Sequence, residues 1–531
     1  MDVTFLGQAG LFIETKAGSI LCDPWFDPAF FGAWYPFPAN DGIDPRRIGD
    51  PTYLYVSHLH HDHFDPRFLR EHVSKEATVL LPDYPLDRLE MELRELGFTK
   101  FVKTADCQPF ELAGGLRAMI MALVAPTDGP IGDSALLLDD GEVRLLNMND
   151  SRPTDPDKLL AFGPIDVHFL QFSGAIWYPM VYEFPERAKE VLAHKKRVAQ
   201  LARAYRYIEL IDPRVVVPSA GPPCFLDDDL FAFNDLTGDP SNIFPDQPTF
   251  IGYVAERGTE PEAKAYDARL MLPGSVMRLD AQAVTVEHPL PQPEIDAIFT
   301  HKADYLRAYQ ARKRPQIEAE RRAWEGPRID LLSELKAWFE PLLAEADLIC
   351  AGIDDAILLD VGDEGIVIDF VAREVRAWDG AAEPRYTFRI DRRLVEACVR
   401  RHLLDWVNEL FLSMRFRARR RGAYNDYVYT WWKCLSEERL QYAEGFYAER
   451  GPTQGTWEAC GYRIQARCPH MKADLTRFAT IEEGVLTCAL HGWQFELDGG
   501  RCLTSDGHQL WTQRIKAGQD EAERAPTEAA S

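Results

Sequence analysis

Tyr53-Leu54-Tyr55-Val56-Ser57-His58-Leu59-His60-His61-Asp62-His63 runs four apolar residues straight into a segment holding four histidines and a carboxylate. A short apolar run of this kind reads as a buried strand, so the polar side chains emerge at its end. A tight loop after a strand can turn alternate side chains toward one point. His58, His60, Asp62 and His63 are in phase for this; His61 is out of phase and is expected outside the ligand set. A lone histidine is more often structural, but a cluster this dense reads as a metal site. Three neutral nitrogens and one carboxylate suit zinc or non-haem iron about equally.

Outward from this loop, Val3-Thr4-Phe5-Leu6, Leu11-Phe12-Ile13-Glu14 and Ser19-Ile20-Leu21-Cys22 are strand-like runs punctuated by glycine. Val143-Arg144-Leu145-Leu146 and Val167-His168-Phe169-Leu170 continue the pattern, and residues 184–211 carry helical spacing. Strands and helices mixed in this way predict a layered α/β domain over residues 1–255. Residues 256–327 read as a linker with an exposed, charged helix, Pro315 inside it. A central α+β unit is expected over 328–435. Its strands are Ala356-Ile357-Leu358-Leu359, 365–370 and 386–390, followed by helical spacing from Leu394 to Phe411.

At the other end of the chain, Cys468-Pro469-His470 is followed after seventeen residues by Cys488-Ala489-Leu490-His491-Gly492-Trp493. Two loops, each offering one cysteine and one histidine, form the ligand pattern of a Rieske 2Fe-2S cluster. A zinc ribbon would space its histidines differently and would leave the Gly492-Trp493-Gln494-Phe495 continuation unexplained. Met471 to Thr487 contains no cysteine, so the loops lack the disulfide of respiratory Rieske proteins. The pattern resembles the Rieske domains of ring-hydroxylating oxygenases and their ferredoxins. An all-β Rieske domain is therefore expected over 436–515, then a disordered acidic tail over 516–531.

The bulk properties limit the partners. A chain of 531 residues is too long for one core. A net charge of −25 argues against nucleic acid. No basic-then-apolar leader opens the chain, and no run approaches about 18 apolar residues, so neither secretion nor a membrane span is expected. Ten scattered cysteines do not form a disulfide framework. A cytoplasmic protein is expected.

Residues 1–255 resemble the metallo-β-lactamase-like domain of the CMP-N-acetylneuraminate hydroxylase family. The resemblance is carried by Leu21-Cys22-Asp23-Pro24-Trp25, the histidine loop, Leu146-Asn147-Met148-Asn149-Asp150-Ser151-Arg152-Pro153, Tyr178-Pro179-Met180 and Pro218-Ser219-Ala220-Gly221. It implies an αββα fold with His58, His60, Asp62, His63 and Asp150 as metal ligands, and Asp62 and Asp150 as the catalytic carboxylates. Asp23 would orient a ligand from behind. That family also carries a Rieske module, at the N-terminus instead of the C-terminus. Two histidines usual in hydrolases of this fold are absent from Val124–Pro130 and Pro218–Pro222. Asp128, His168 and His194 are spare candidates. The central unit resembles the sterol-carrier-protein-like fold.

These readings together predict a Rieske-type non-haem iron oxygenase. Electrons from a ferredoxin or NAD(P)H-dependent reductase would pass through the 2Fe-2S cluster (Cys468, His470, Cys488, His491) to one or two iron ions. With O2, a small polar substrate would be hydroxylated or oxidised. The metals would approach within one chain or across a dimer, so a homo-oligomer is among the expectations. The alternative is a zinc-dependent metallo-hydrolase with a redox-regulatory Rieske domain. The basic run Met414–Arg421 reads either as a solvated face or as a dock for an acidic ferredoxin or anionic substrate. Trp25, Trp34, Trp431 and Trp432 read as core, and Asp227-Asp228-Asp229 as a solvated loop.

Overall fold

A computed structural model describes residues 1–126, 131–174, 176–381, 383–449, 451–452 and 454–515. Asp128 and the 516–531 tail lie outside the described residues.

The N-terminal unit is built on two mixed sheets. Its strands are β1 (Asp2–Gly7), β2 (Gly10–Thr15), β3 (Gly18–Cys22), β4 (Tyr53–Tyr55), β5 (Thr78–Pro82), β6 (Phe101–Thr104), β7 (Phe110–Glu111), β8 (Arg117–Leu123), β9 (Asp133–Asp139), β10 (Arg144–Asn147), β11 (Val167–Gln171), β12 (Val215–Ser219), β13 (Asp267–Ala268), β14 (Val276–Leu279) and β15 (Val284–Glu287). The first sheet has the order β15-β14-β1-β2-β3-β4-β5-β6 and the second β13-β12-β11-β10-β9-β8-β7.

Alternation along the strands explains the stacking. Val3, Phe5, Leu11, Ile13, Ile20, Tyr53 and Tyr55 face Ile120, Leu136, Leu138, Phe169 and Val217 of the second sheet. The intervening Leu6, Phe12, Leu21 and Leu54 point outward onto Phe68, Leu69, Leu89 and Leu93. On the far side, Leu146, Leu170 and Val216 pack under helices Glu186–Ile211 and Gln247–Arg257. The unit is thus a four-layer αββα domain of the metallo-β-lactamase type.

Its edge corrects the boundary expected at residue 255. β14 pairs antiparallel with β1, and β15 with β14, so residues 276–287 complete the first sheet. Helix Lys302–Arg322 is no free linker: Leu306, Tyr309 and Ile317 pack with Tyr35, Phe37 and Leu226. Local pattern cannot show this, because the partners of these strands and helices lie at the start of the chain.

The central unit has five strands, β16 (Ala356–Asp360), β17 (Gly365–Asp369), β18 (Glu374–Ala377), β19 (Tyr386–Ile390) and β20 (Phe416–Arg420), in the order β18-β17-β16-β19-β20. The single helix expected over Leu394–Phe411 is two elements. A helix runs from Arg392 to Arg400, and a π-helix turn from Val407 to Phe411. His402 has φ +50°, which ends the first, and Trp406 N–H bonds Trp432 O at 2.8 Å instead of continuing it. Trp431 and Trp432 are fully buried in the core of this unit.

The C-terminal unit is two three-stranded sheets. They comprise β21 (Thr456–Ala459), β22 (Tyr462–Gln465), β23 (Ala479–Glu482), β24 (Val485–Cys488), β25 (Trp493–Glu496) and β26 (Thr512–Arg514), ordered β21-β22-β26 and β23-β24-β25. Ile464, Leu475, Phe478 and Leu486 merge with the apolar layer over β10–β12. No helix among the described residues is long and apolar enough to cross a membrane.

Candidate metal centres

β4 ends at Tyr55, and the loop behind it delivers four side chains to one buried point. His58 Nε2 lies 2.6 Å from His60 Nδ1 and 3.8 Å from Asp150 Oδ1. His63 Nε2 lies 3.5 Å from Asp150 Oδ1 and 3.7 Å from Asp62 Oδ2. One nitrogen each of His58 and His60 and a carboxylate oxygen of Asp150 fall within 4.8 Å of one another. His60 Nε2, His63 Nε2 and Asp150 Oδ1 are buried without a hydrogen-bond partner. Buried polar atoms are normally satisfied, so three unsatisfied lone-pair carriers around one point fit a bound cation.

The loop is held from behind. Asp23 accepts from Ser57 N and Ser57 Oγ, both at 2.7 Å, and its Oδ2 lies 2.9 Å from His63 Nδ1. A carboxylate on the far nitrogen of a histidine fixes its tautomer and leaves Nε2 free to ligate. Gln8 donates to Asp62 Oδ2 at 2.8 Å. His61 turns away, to 3.3 Å from Glu409 Oε1.

The electrostatics follow from burial against carboxylates. Burial alone would push the His63 imidazole down, but Asp150, Asp62 and Asp23 outweigh it and hold its pKa well above the ordinary value. His58 is raised in the same way, by Asp133 and Asp150 acting against burial. His60 is held well below its usual range by burial and by His58. Burial pushes Asp150 up, yet His63, His58, His60 and Arg152 bring it down to about 2.

Asp133, with Oδ1 3.2 Å from His58 Nδ1, was not visible in the sequence reading. It lies three residues beyond Val124–Pro130, the stretch that lacks a histidine usual in hydrolases of this fold. The central unit also reaches the loop, through the Asn408 amide on His60 and through Glu409. π-Helical turns are frequent at functional sites. His168 sits buried on β11, burial pushing it down to about 3, and His194 is exposed on its helix. Neither joins the cluster.

The second centre lies in the two loops of the C-terminal unit. Cys468 and Cys488 are buried, with their thiols hydrogen-bonded to each other. Backbone N–H groups of His470 and Met471 point at Cys468, and those of Leu490 and His491 at Cys488. His470 and His491 stand with ring centroids 5.0 Å apart. His470 stacks on Trp493 at 3.9 Å. His470 Nδ1 and both ring nitrogens of His491 lack partners. Two thiols, two neutral imidazoles and sulfur-directed N–H groups fit a Rieske cluster. Asp426 of the central unit lies 3.8 Å from both His470 Nε2 and His508 Nε2.

The segment that leaves Asp150 carries the docking of this unit. Asp474 N–H donates to Thr154 O at 3.1 Å, and Arg467 pairs with Asp155 at 3.1 Å. Arg477 pairs with Asp157 at 2.8 Å, and Tyr207 OH donates to Pro153 O at 2.7 Å.

Other sequence candidates are structural. In the basic run, Arg415 pairs with buried Asp227 at 3.0 Å, Arg419 pairs with Glu383 at 2.9 Å, and Arg420 lies over Tyr178, Tyr182, Phe184 and Tyr424. Asp227, Asp228 and Asp229 are paired with Arg321, Arg307 and Arg415.

Comparison with known protein families matches the central and C-terminal units. An Rv3818-like, SCP2-like domain model matches residues 331–449, and a Rieske [2Fe-2S] domain model matches residues 455–510. A Mycobacterium tuberculosis protein provisionally named Rieske 2Fe-2S iron-sulfur protein Rv3818 is 49% identical over 521 residues, covering 97% of this chain and 100% of its own. The human inactive cytidine monophosphate-N-acetylneuraminic acid hydroxylase is 24% identical over 242 residues, 42% of this chain and 45% of its own. Among solved structures, CmlA, a diiron β-hydroxylase from Streptomyces venezuelae, is similar over 52% of this chain and 54% of its own. The identity there is 19% and the TM-score 0.34.

Proposed function

Because the chain belongs to the Rv3818-like family of Rieske 2Fe-2S iron–sulfur proteins, we propose that it is a Rieske-linked, iron-dependent oxygenase. It would hydroxylate or oxidise a small polar molecule with O2 and with electrons from a ferredoxin or NAD(P)H-dependent reductase. The observation that carries this reading is the pairing, in one chain, of a Rieske ligand set with a second buried ligand cluster, joined through the segment Asp150–Asp157. An electron carrier with no destination would not need the second cluster.

His58, His60, His63 and Asp150 would hold the metal, with Asp62 a ligand or an immediate neighbour; Cys468, His470, Cys488 and His491 would hold the cluster. When bound, the cluster supplies electrons one at a time, and iron with open positions supplies the site at which O2 is activated. The chain's own residues do the rest. Asp23 and Ser57 lock the His63 ring, and Gln8 keeps the Asp62 carboxylate from rotating. Asn408 and Glu409 close the loop from the central side and exclude water. Trp493 fixes the plane of His470.

The test is metal analysis with electron paramagnetic resonance on anaerobically purified, dithionite-reduced protein. The reading expects a Rieske signal and more than two irons per chain. A Rieske signal with zinc in the N-terminal unit, retained when the protein is produced in zinc-depleted medium, would overturn it in favour of a metallo-hydrolase with a redox-regulatory domain.

A further inference from the structure

Helix Glu186–Ile211 carries Lys196, Gln200, Arg203 and Tyr207 at i, i+4, i+7 and i+11, one stripe along its length. The stripe faces inward at Gln200, Arg203 and Tyr207, and Lys196 at its start is half-buried. Gln200 and Tyr207 are 1% exposed and Arg203 is 8% exposed. Two contacts locate it. The Gln200 amide lies tight against Gly174, just beyond β11, where a Cβ would strike it. Tyr207 bonds Pro153, three residues past Asp150. The stripe therefore spans the ground between the end of β11 and the segment that joins the two metal centres.

Three cations share this ground. Arg152, Lys196 and Arg203 act on one another, and all three act on the cluster histidine His491. Buried charges are normally paired. Here, among the described residues, no carboxylate acts on Lys196 or Arg203. Arg203 Nη2 and Gln200 Oε1 are buried without a partner. Burial, with Arg152 and Arg203 nearby, pulls Lys196 down to about 7, and burial with Arg152 pulls Arg203 down to about 9. The cluster cannot supply the missing charge. Two ferric ions, two sulfides and two thiolates sum to zero, and reduction adds a single negative charge.

We propose that Arg152, Lys196 and Arg203 bind a doubly charged oxyanion, the phosphate or dicarboxylate group of the substrate. The substrate role rests on the oxygenase reading; the anion site does not. Arg152 sits two residues from Asp150, so an anion held here would place the remainder of its molecule beside the N-terminal metal centre.

The test is calorimetric titration of the holoprotein with inorganic phosphate and with malonate in low-chloride buffer, repeated on Lys196→Met, Arg203→Met and His60→Ala. The expected result is binding by the parent protein, weakened at least tenfold by either helix substitution and kept in His60→Ala. Lys196→Met should also raise the melting temperature in the absence of anion, since it removes an unmatched cation, and phosphate should stabilise it less than the parent. If Arg203→Met fails to fold, Lys196→Met carries the test alone. No binding of either probe to the parent at millimolar concentration would overturn the site. So would equal binding in the helix variants, or binding lost in His60→Ala alone, which would put the anion on the metal. Binding as expected in a protein that holds zinc would keep the site and remove only its role in an oxygenase.

Discussion

The histidine loop and the paired cysteine–histidine loops each bring ligands to one buried point, but they surround it with opposite charge. Asp23, Asp62, Asp133 and Asp150 crowd His58 and His63 and raise both imidazoles. Around His470 and His491 burial pushes both imidazoles down, and the cations Lys433, Arg152, Arg203 and Lys196 add to it, with the Asp426 carboxylate 3.8 Å from His470 Nε2 on the other side. The first environment attracts a bare cation. The second keeps imidazoles neutral, as ligation requires, and favours an assembly that carries no positive charge of its own. The same residue type thus serves two chemistries, and the neighbours decide which.

Breaking either side should leave the other intact. His60→Ala is expected to abolish turnover and to lose the N-terminal metal, with the Rieske signal unchanged. Cys468→Ser should do the reverse, and metal content per chain with the EPR spectrum distinguishes the two. A metal lost from both centres in either variant would show that the sites fold as one unit. Chelation should follow the same division, stripping the carboxylate-rich centre first.

A smaller effect is expected behind the loop. Asp23→Ala removes the carboxylate on His63 Nδ1 and should weaken metal binding by about 10–100-fold, read by competition with a metal indicator. The central unit should matter less to the metal and more to the assembly. Trp34→Phe deletes the indole donor to Leu412 O (2.8 Å) and should cost about 1 kcal/mol in thermal unfolding. Least affected should be Arg419→Ala, in the basic run. Its ion pair with Glu383 is exposed, so a stability change of about 0–1 kcal/mol is expected. Reductase-dependent turnover should not change, because Arg419, on strand β20, is already paired with Glu383.

What the sequence disclosed and what it hid divide along the same physical line. His58, His60, Asp62 and His63, and the group Cys468, His470, Cys488 and His491, were legible as candidates because their spacing is set by a single loop or by paired loops. The apolar runs of β1 to β4 were legible because these strands are largely buried on both faces. Asp133, Asn408, Glu409 and Asp426 were not, since each reaches a centre from an element distant in the chain. β14 and β15 were missed for the same reason: β14 pairs with the first strand, and β15 with β14. The basic run Met414–Arg421 left two readings open because charge alone does not reveal Asp227 and Glu383, which reach Arg415 and Arg419 from elsewhere in the fold.

Whether the two centres work together is tested most directly by a single-turnover measurement. Anaerobically reduced holoprotein is mixed with O2, and reoxidation of the cluster is followed by its visible absorbance in the parent and in His60→Ala. The account predicts reoxidation at least tenfold slower in the variant, with the starting Rieske spectrum identical in both. Equal rates would contradict it, because the cluster would then pass its electron to O2 without the histidine loop.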